Sequence, residues 1–190
     1  MEFSLQQIII NQSILTSDLG LRIFYAFMQG AFITFENGLF VSSMKLLLSA
    51  VDTMPFLVNG NNRSKDFKAW LDKYVDLSPA EVTSDELWEH RNALLHTTTL
   101  DSDKVKGGKI LRLIPYKKPV PPIKTSLKGS KFYSIDKVWI AIAKGIDNFV
   151  KDIESNEKLA KSVESNWKKI VYDEPTISVK PQTFKGQEER

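Results

Sequence analysis

An apolar stripe with an arginine in its middle, in residues 86–96, constrains this chain more than any other feature. Thr83 or Ser84 can cap the first turn of a helix, and the acidic residues that follow suit its positive end. The sequence therefore predicts an α-helix over about 84–98. Its apolar residues recur at a spacing of seven and form one stripe: Leu87, Trp88, Leu94 and Leu95.

Arg91 lies inside this stripe without a local partner. An intrahelical ion pair needs an acid three or four positions away, and those positions hold only apolar residues. A guanidinium beside apolar surface is costly unless an anion neutralises it. We therefore expect the partner of Arg91 to come from elsewhere in the fold, from another subunit or from a ligand.

The polar side of the same helix carries a candidate site. Asn92 and His96 are four residues apart and project from one side, together with Glu89. At about 100° per residue, Arg91 and His96 diverge by roughly 140°, so a single helix is expected to aim them apart. His90 is four residues from Glu86, a spacing that predicts a surface pair of little energetic value.

Composition favours a single domain without cysteine chemistry. A chain of 190 residues, 42% hydrophobic and 26% charged, is long enough for one buried core. Since it has no cysteine, disulfides, thiolate nucleophiles and sulfur-bound zinc are excluded, and a reducing, cytoplasmic compartment is expected. Residues 1–11 lack the pattern of a secretory signal, and charged residues interrupt the apolar run at 19–41, so no membrane span is predicted.

Helical periodicity recurs along most of the chain. Residues 1–16 fit either a short helix or a strand, and 172–190 resemble a flexible tail. A two-residue turn between the first two helices predicts an antiparallel hairpin. The first two predicted helices cover 17–37 and 39–54, and Pro55 is expected to end the second. A third helix is predicted between a polar loop at 59–64 and a break at 78–79. The helix over 84–98 follows, and a last long helix begins at Ser134 and bends near 155–156.

Residues 101–131 form a strongly basic segment, with nine lysines and arginines against two aspartates. Alternation at 110–115 predicts a short strand, and the prolines that follow exclude a helix or a central strand. Two interpretations are open: a solvated, partly mobile loop, or a phosphate-binding segment beside a groove, because clustered lysines bind nucleic acid backbones without sequence preference. The candidate RNA-binding residues are Lys104, Lys106, Lys109, Arg112, Lys117 and Lys118.

Residues 91–96, Arg-Asn-Ala-Leu-Leu-His, resemble the Arg-Asn-x-x-x-His signature of the HEPN superfamily, a group of all-helical domains that includes many metal-independent ribonucleases. In that family the motif follows a long helical hairpin, as it follows three predicted helices here. The resemblance covers about 19–100. It implies an all-α, HEPN-like bundle of about five helices within one domain over 1–171, with the basic stretch at 101–133 as an insertion that contains the short strand.

The resemblance also implies a function and a mechanism. HEPN nucleases are two-fold dimers in which the motif helices of both protomers meet, so side chains that diverge on one helix can converge across the dimer. The reaction is attack of an RNA 2′-hydroxyl on the adjacent phosphate, leaving a 2′,3′-cyclic phosphate, with no metal or other cofactor. His96 would transfer the proton, Arg91 would bind the phosphate, Asn92 would orient His96 or a phosphate oxygen, and Glu89 would orient a neighbouring group in the partner helix.

Other features favour alternatives. Some HEPN toxins carry a tyrosine two residues after the motif histidine, which an antitoxin protein modifies, whereas this chain has Thr98, and this weakens an antitoxin as partner. Arg91 could instead pair with an acid on another helix, and His96 could be a core histidine bonded to Asn92 or to a backbone carbonyl. The chain would then be a non-catalytic helical RNA- or protein-binding dimerisation module.

Other site types lack support in the sequence. Two histidines without a His-Glu-x-x-His spacing and without cysteine do not suggest a metal centre. No phosphate loop of the Walker type, dinucleotide fingerprint or serine hydrolase elbow occurs. The sequence therefore favours a cytoplasmic, homodimeric ribonuclease in microbial defence or growth control, with RNA as substrate.

Overall fold

A computed structural model describes residues 17–117 and 127–170, which are mostly helical. The first helix, α1, has three consecutive segments: α-helical Asp18–Ile23, π-helical Phe24–Met28 and α-helical Gln29–Glu36. The other elements are α2 (Phe40–Asn59), α3 (Ser64–Tyr74), a 3-10 turn (Ser78–Ala80), α4 (Ser84–Thr97), α5 (Asp103–Lys106), β1 (Arg112–Tyr116), β2 (Ser130–Ser134), α6 (Ile135–Ser155) and α7 (Glu157–Trp167). The predicted all-α character is confirmed, with one small sheet added.

The predicted hairpin of α1 and α2 is closed by a buried chain of hydrogen bonds. Its turn contains Gly38, whose φ of +76° is in the left-handed region that favours glycine. Ser43 Oγ donates to the carbonyl oxygen of Ala31 at 2.8 Å, and Trp139 Nε1 donates to Ser43 Oγ at 3.0 Å. The indole of α6 thus joins the hairpin to the helix whose apolar side forms the middle of the core.

The second helix is longer than predicted. Proline was expected to end it, but Pro55 lies inside α2, which continues to Asn59. The last turn has distant support: Asn166 of α7 donates from Nδ2 to the carbonyl oxygen of Leu57 at 3.1 Å. Because proline removes only one hydrogen bond of the helix, packing of the following apolar residues and this cap are enough to keep the turn helical.

The basic segment contains more regular structure than predicted. The strand expected at 110–115 exists as β1, but it pairs in parallel with a second strand, β2, that was not predicted. The short helix α5 was also not predicted. Periodicity did not reveal β2 because it is five residues long and leads directly into α6, where Ser134 Oγ accepts the cap hydrogen bond.

Three predictions fall on parts of the chain outside the described residues. These are the helix or strand at 1–16, the tail at 172–190 and the position of Lys118. Within the described ranges, the predicted bend near 155–156 is the boundary at Asn156 between α6 and α7.

Among the described residues, only α2 is long and apolar enough to cross a membrane. More than half of its apolar window, 56%, is buried against the rest of the protein. That burial is typical of a core helix of a soluble protein.

The close approach of α6 to the end of α3 yields the first testable prediction. A Cβ on Gly145 would collide with Val75 Cγ2 and lie 3.1 Å from the carbonyl oxygen of Tyr74. We therefore expect Gly145→Ala to lower the free energy of unfolding by about 1–3 kcal/mol in urea denaturation. Gly30→Ala is the control, because Gly30 is exposed in α1 and its Cβ would make only an ordinary contact, 3.6 Å from Leu46. A gain of about 0.5–1 kcal/mol is expected there, and equal effects at both glycines would contradict the prediction.

Candidate active site

The motif helix α4 begins and ends with local caps that agree with the sequence. Thr83 Oγ1 accepts from the backbone N–H of Glu86, and the Glu86 carboxylate accepts from the backbone N–H of Thr83 at 2.9 Å. The helix ends at Thr97, and Thr98 has a left-handed φ of 53°. The helix predicted over 84–98 is therefore confirmed, and Arg91, Asn92 and His96 lie on its second half.

Arg91 is held by an acid on another helix. Its Nε donates to Asp52 Oδ2 at 2.8 Å, and its Nη2 donates to the same oxygen. Only 16% of the Arg91 side chain and 11% of the Asp52 side chain are exposed. The prediction that the partner of Arg91 comes from elsewhere in the fold is confirmed. The partner is an acid on α2, which agrees with the alternative in which Arg91 pairs with an acid on another helix.

One further contact fixes the guanidinium of Arg91. Its Cζ lies 5.1 Å from the centroid of the Trp88 ring, where the face of the indole attracts a cation. Asp52 Oδ1, the oxygen that does not receive the guanidinium, is buried and has no hydrogen-bond partner among the described residues. Asp52 is therefore committed to Arg91 alone within this part of the chain.

The three motif side chains meet within one chain, which contradicts the expected divergence. Arg91 Nη1 donates to Asn92 Oδ1 at 2.9 Å and lies 3.3 Å from His96 Nε2. The prediction was wrong because an angle between Cβ directions does not describe where a long arginine side chain ends. The guanidinium contacts both Asn92 and His96, so the three side chains form one cluster.

The contact between Arg91 and His96 assigns a role to one ring nitrogen. A guanidinium only donates hydrogen bonds, so Nε2 of His96 is the acceptor in this contact. His96 is exposed, so the alternative in which it is a core histidine is wrong. The imidazole therefore lies at the surface, where a substrate can reach it.

A lysine of α2 that the sequence analysis missed lies at the same end of α4. Lys45 Nζ donates to Thr98 Oγ1 at 2.7 Å. Lys45 and Asp52 are seven residues apart, so they lie on one side of α2, and they contact Thr98 and Arg91 in antiparallel order. This seven-residue spacing of a lysine and an aspartate is a sequence pattern that could have revealed both contacts.

Glu89 is not part of this cluster. Its side chain is buried, and its Oε1 forms an ion pair with Lys104 Nζ at 2.9 Å. The hydrogen bond to Glu89 raises the pKa of Lys104 above its ordinary value. Glu89 has no described contact with Arg91 or His96 within this chain.

The basic segment folds back along α4 toward its N-terminal end. Lys104 and Lys109 line a cleft with Thr83 and Glu86. Glu86 and His96 are ten residues apart, which corresponds to about 15 Å along a helix. These two lysines therefore lie at the opposite end of the motif helix from the imidazole, and not beside it as the phosphate-binding interpretation expected.

Other basic residues of the segment are engaged with acids or aromatic rings. Arg112 donates to both carboxylate oxygens of Asp101, at 2.5 and 3.0 Å. Lys117 Nζ lies 4.3 Å from the ring centroid of Phe35 and 4.7 Å from that of Phe40. Lys106 and Lys109 are exposed, and Lys118 is outside the described residues.

His90 is a buried residue, which contradicts the predicted surface pair with Glu86. Only 2% of it is exposed, its Nε2 lies 2.9 Å from the Tyr133 hydroxyl, and its Nδ1 has no hydrogen-bond partner in the described part of the chain. Glu86 pairs instead with Lys131 Nζ at 2.8 Å. The prediction was wrong because β2, which was not predicted, covers this side of α4.

Burial also determines the ionisation of this pair. Burial lowers the pKa of His90 from 6.5 to about 4, because the apolar core cannot solvate an imidazolium. It raises the pKa of the Tyr133 hydroxyl for the corresponding reason. Both groups are therefore neutral at physiological pH.

Within the described ranges, no group of three or more histidine, aspartate or glutamate side chains is arranged to hold a metal ion. Comparisons with protein-family models, with curated proteins and with solved structures return no match.

The buried His90 predicts an acid-sensitive stability. Its pKa is 6.5 when unfolded and about 4 when folded, so the unfolded chain binds more protons between these values. The free energy of unfolding should consequently fall as pH falls through this window, by about 3 kcal/mol in total from this group. Urea denaturation at several pH values measures the loss. His90→Gln is the control and should show a flatter dependence between pH 6.5 and 4; an unchanged slope would contradict the assignment.

The buried ion pair predicts a larger effect at Asp52 than at an exposed acid. Asp52→Asn keeps the shape of the side chain but leaves the charge of Arg91 without a carboxylate partner, so we expect a loss of about 3–5 kcal/mol in unfolding free energy. Asp85→Asn is the matched control, because Asp85 is 60% exposed and pairs with the surface residue Lys68. That change should cost less than about 1 kcal/mol. Similar losses in both variants, measured by urea denaturation, would show that the Asp52 pair has no special role.

Proposed function

We propose that this protein is a metal-independent endoribonuclease of the HEPN type that acts as a homodimer in the cytoplasm, in microbial defence or growth control. The observation that carries the proposal is the cluster of Arg91, Asn92 and His96 at the exposed end of α4. A phosphate-binding cation next to an exposed imidazole is a combination suited to phosphoryl transfer without a metal.

The reaction would be an attack of the RNA 2′-oxygen on the adjacent phosphorus. His96 accepts the proton of the 2′-hydroxyl as the new oxygen–phosphorus bond forms. The bond from phosphorus to the 5′-oxygen breaks, and that oxygen takes up a proton. The products are a 2′,3′-cyclic phosphate and a free 5′-hydroxyl, so atoms and charge balance without an external reactant.

Substrate binding and activation of His96 would be coupled through Arg91. Asp52 occupies Nε and part of Nη2, which leaves Nη1 directed at Asn92 and His96. A phosphate oxygen that accepts from Nη1 takes the place of the imidazole. His96 Nε2 then has a free lone pair, which is what a general base requires. Arg91 also stabilises the negative charge that gathers on the phosphate in the transition state.

A dimer would supply the second proton-transfer group. The cluster contains one histidine, whereas the reaction needs a base for the 2′-hydroxyl and an acid for the 5′-oxygen. A two-fold dimer through α4 brings two copies of His96 to one cleft. An exposed apolar residue supports an interface there, since Leu46, next in sequence to Lys45, is 43% exposed.

A second candidate function is a non-catalytic dimerisation module that binds RNA or protein. The observation that favours it is the engagement of Arg91 by Asp52 and Asn92, which also suits a purely structural role. This candidate predicts association without cleavage, so the same assay separates the two functions.

The ribonuclease proposal is tested with purified protein and single-stranded RNA in EDTA. Cleavage products should end in a 2′,3′-cyclic phosphate, as detected by mass spectrometry. His96→Ala should reduce the rate by about 10²–10⁴-fold, because proton transfer by a positioned group contributes that much. Arg91→Lys should also reduce it strongly, since lysine keeps the charge but loses the fork geometry.

The control variant is Lys144→Ala, which changes an exposed lysine of α6 and should leave cleavage unchanged. Circular dichroism and size-exclusion chromatography of each variant separate loss of chemistry from loss of the fold or of the dimer. Full activity of His96→Ala would overturn the mechanism. Absence of cleavage in the native protein, with a stable dimer, would favour the second candidate.

A further inference from the structure

Lys45 is a partly exposed cation of α2 whose partner is a hydroxyl group rather than an acid. Its Nζ donates to Thr98 Oγ1 at 2.7 Å, and no carboxylate among the described residues forms an ion pair with it. Other lysines are neutralised by acids, among them Lys73, Lys104 and Lys131. A hydroxyl occupies one of the three ammonium donors and leaves the charge uncompensated. Lys45 therefore keeps donors and a full charge for an anion.

Thr98 holds this lysine from a backbone conformation that threonine rarely adopts. Its φ of 53° is left-handed, and a β-branched residue in that region is an outlier. It follows the end of α4, where its N–H donates to the carbonyl oxygen of Leu94 and the N–H of Thr99 donates to that of Ala93, both at 3.2 Å. Glycine is the usual residue at this position, because it has no Cβ to strain. Such strain concentrates at functional sites, and the side-chain hydroxyl is what threonine supplies here.

The contacts of Lys45 with Thr98 and of Asp52 with Arg91 join the same two helices at different positions. On each helix the two residues are seven apart, which corresponds to about 10 Å along the axis. Arg91 Nη1 lies 3.3 Å from His96 Nε2, and His96 precedes Thr98 by only two residues. Because each cation is held in its own contact, α2 and α4 offer two anion positions at this end of the motif helix.

We propose that Lys45 binds the phosphate next to the scissile one, so that the site recognises RNA through two consecutive phosphates of one strand. Arg91 holds the phosphate that reacts, and Lys45 holds its neighbour. The ammonium on its flexible four-carbon side chain can follow a phosphate one nucleotide away without a fixed geometry. Thr98 is a positioning residue that keeps the ammonium at the site before RNA binds. The proposal rests on the ribonuclease function, because it assigns a second contact to the substrate of the same site.

A cycle of protein and substrate changes tests the contact between Lys45 and the neighbouring phosphate. The substrate is a 2′-O-methyl RNA strand with a single ribose, which fixes the cleaved bond because only that ribose has a 2′-hydroxyl. In two further substrates a neutral methylphosphonate replaces the phosphate on the 5′ side or on the 3′ side of the scissile one. Cleavage is measured in EDTA as kcat/KM, for the native protein and for Lys45→Met, whose unbranched side chain has a similar length without the charge.

The loss in Lys45→Met should depend on the charge of one neighbouring phosphate. On the fully charged substrate kcat/KM should fall about 10-fold, the size expected for one hydrogen bond to a charged group. The loss should disappear on the methylphosphonate substrate that lacks the contacted charge and persist on the other. Lys45→Arg keeps a cation and should retain most of the activity. Equal losses on all three substrates, or no loss on any, would overturn the proposal.

The matched control for this cycle is Lys144→Met. Lys144 is an exposed lysine of α6, outside the site. The change removes the same charge from the protein, so it separates a local contact from a general effect of net charge on RNA binding. It should leave kcat/KM unchanged on all three substrates, and a loss equal to that of Lys45→Met would contradict the assignment.

Thr98→Gly tests the strained helix end, because it should affect stability and cleavage in opposite directions. Glycine relieves the left-handed strain, so the midpoint of urea denaturation should rise by about 0.3–1 M. Removal of the hydroxyl releases Lys45, so kcat/KM should fall by about 2–10-fold, the range of one neutral hydrogen bond. Thr98→Ser keeps the hydroxyl and should cleave as the native protein does. An unchanged rate in Thr98→Gly would refute the positioning role.

Failure of the ribonuclease function itself gives a different result. The native protein would then cleave neither the single-ribose substrate nor unmodified RNA. In that case the same cycle is measured as the affinity of fully 2′-O-methylated strands, by fluorescence anisotropy. A loss of affinity in Lys45→Met that disappears with one methylphosphonate would keep the phosphate contact in a site that binds RNA without cleaving it. Equal affinities of the native protein and Lys45→Met would refute the contact as well.

Discussion

The ion pair between Arg91 and Asp52 is the interaction on which the candidate site depends. A guanidinium in an apolar stripe has to be neutralised, and no residue of its own helix can do this. Asp52 does so from α2, with both side chains largely buried. The pair therefore sets the position of α2 against α4, and Lys45 and Thr98 continue the same antiparallel contact about two turns away.

Local rules predicted the elements that have local causes. The capping box of Thr83 and Glu86 and the periodic stripe that follows were sufficient to place α4 within a residue of its observed end. The same rules failed where a residue distant in sequence determines where a helix ends. α2 passes through Pro55 because Asn166, more than a hundred positions later, caps its last turn. The rule that proline ends a helix considers only neighbouring residues, so it cannot anticipate such a partner.

The error at His90 has the same physical origin. A histidine four residues from a glutamate looks like part of an exposed pair, and only β2 makes it a core residue. The strand is short and lies beyond residues 118–126, which the structure does not describe, so no local pattern ties it to α4. Burial then gives His90 an ionisation unlike that of a surface imidazole. The two histidines of one helix thus differ because of what packs against them.

The distribution of charge also could not be read from composition. Several basic residues of the segment 101–131 form ion pairs within the fold: Lys104 pairs with Glu89, Arg112 with Asp101 and Lys131 with Glu86. Paired charges attract a polyanion much less than free ones do.

At the other end of α4, the cations come from elsewhere in the chain. Lys45 of α2 has a hydroxyl group as its partner, and Arg91 directs Nη1 toward His96. Two cations therefore lie at the same end of α4 as the imidazole, although that part of the sequence is not conspicuously basic. Charge counts along a chain therefore mislead unless the partner of each charge is known, and for this protein those partners are supplied by the packing of α2 and the small sheet on either side of α4.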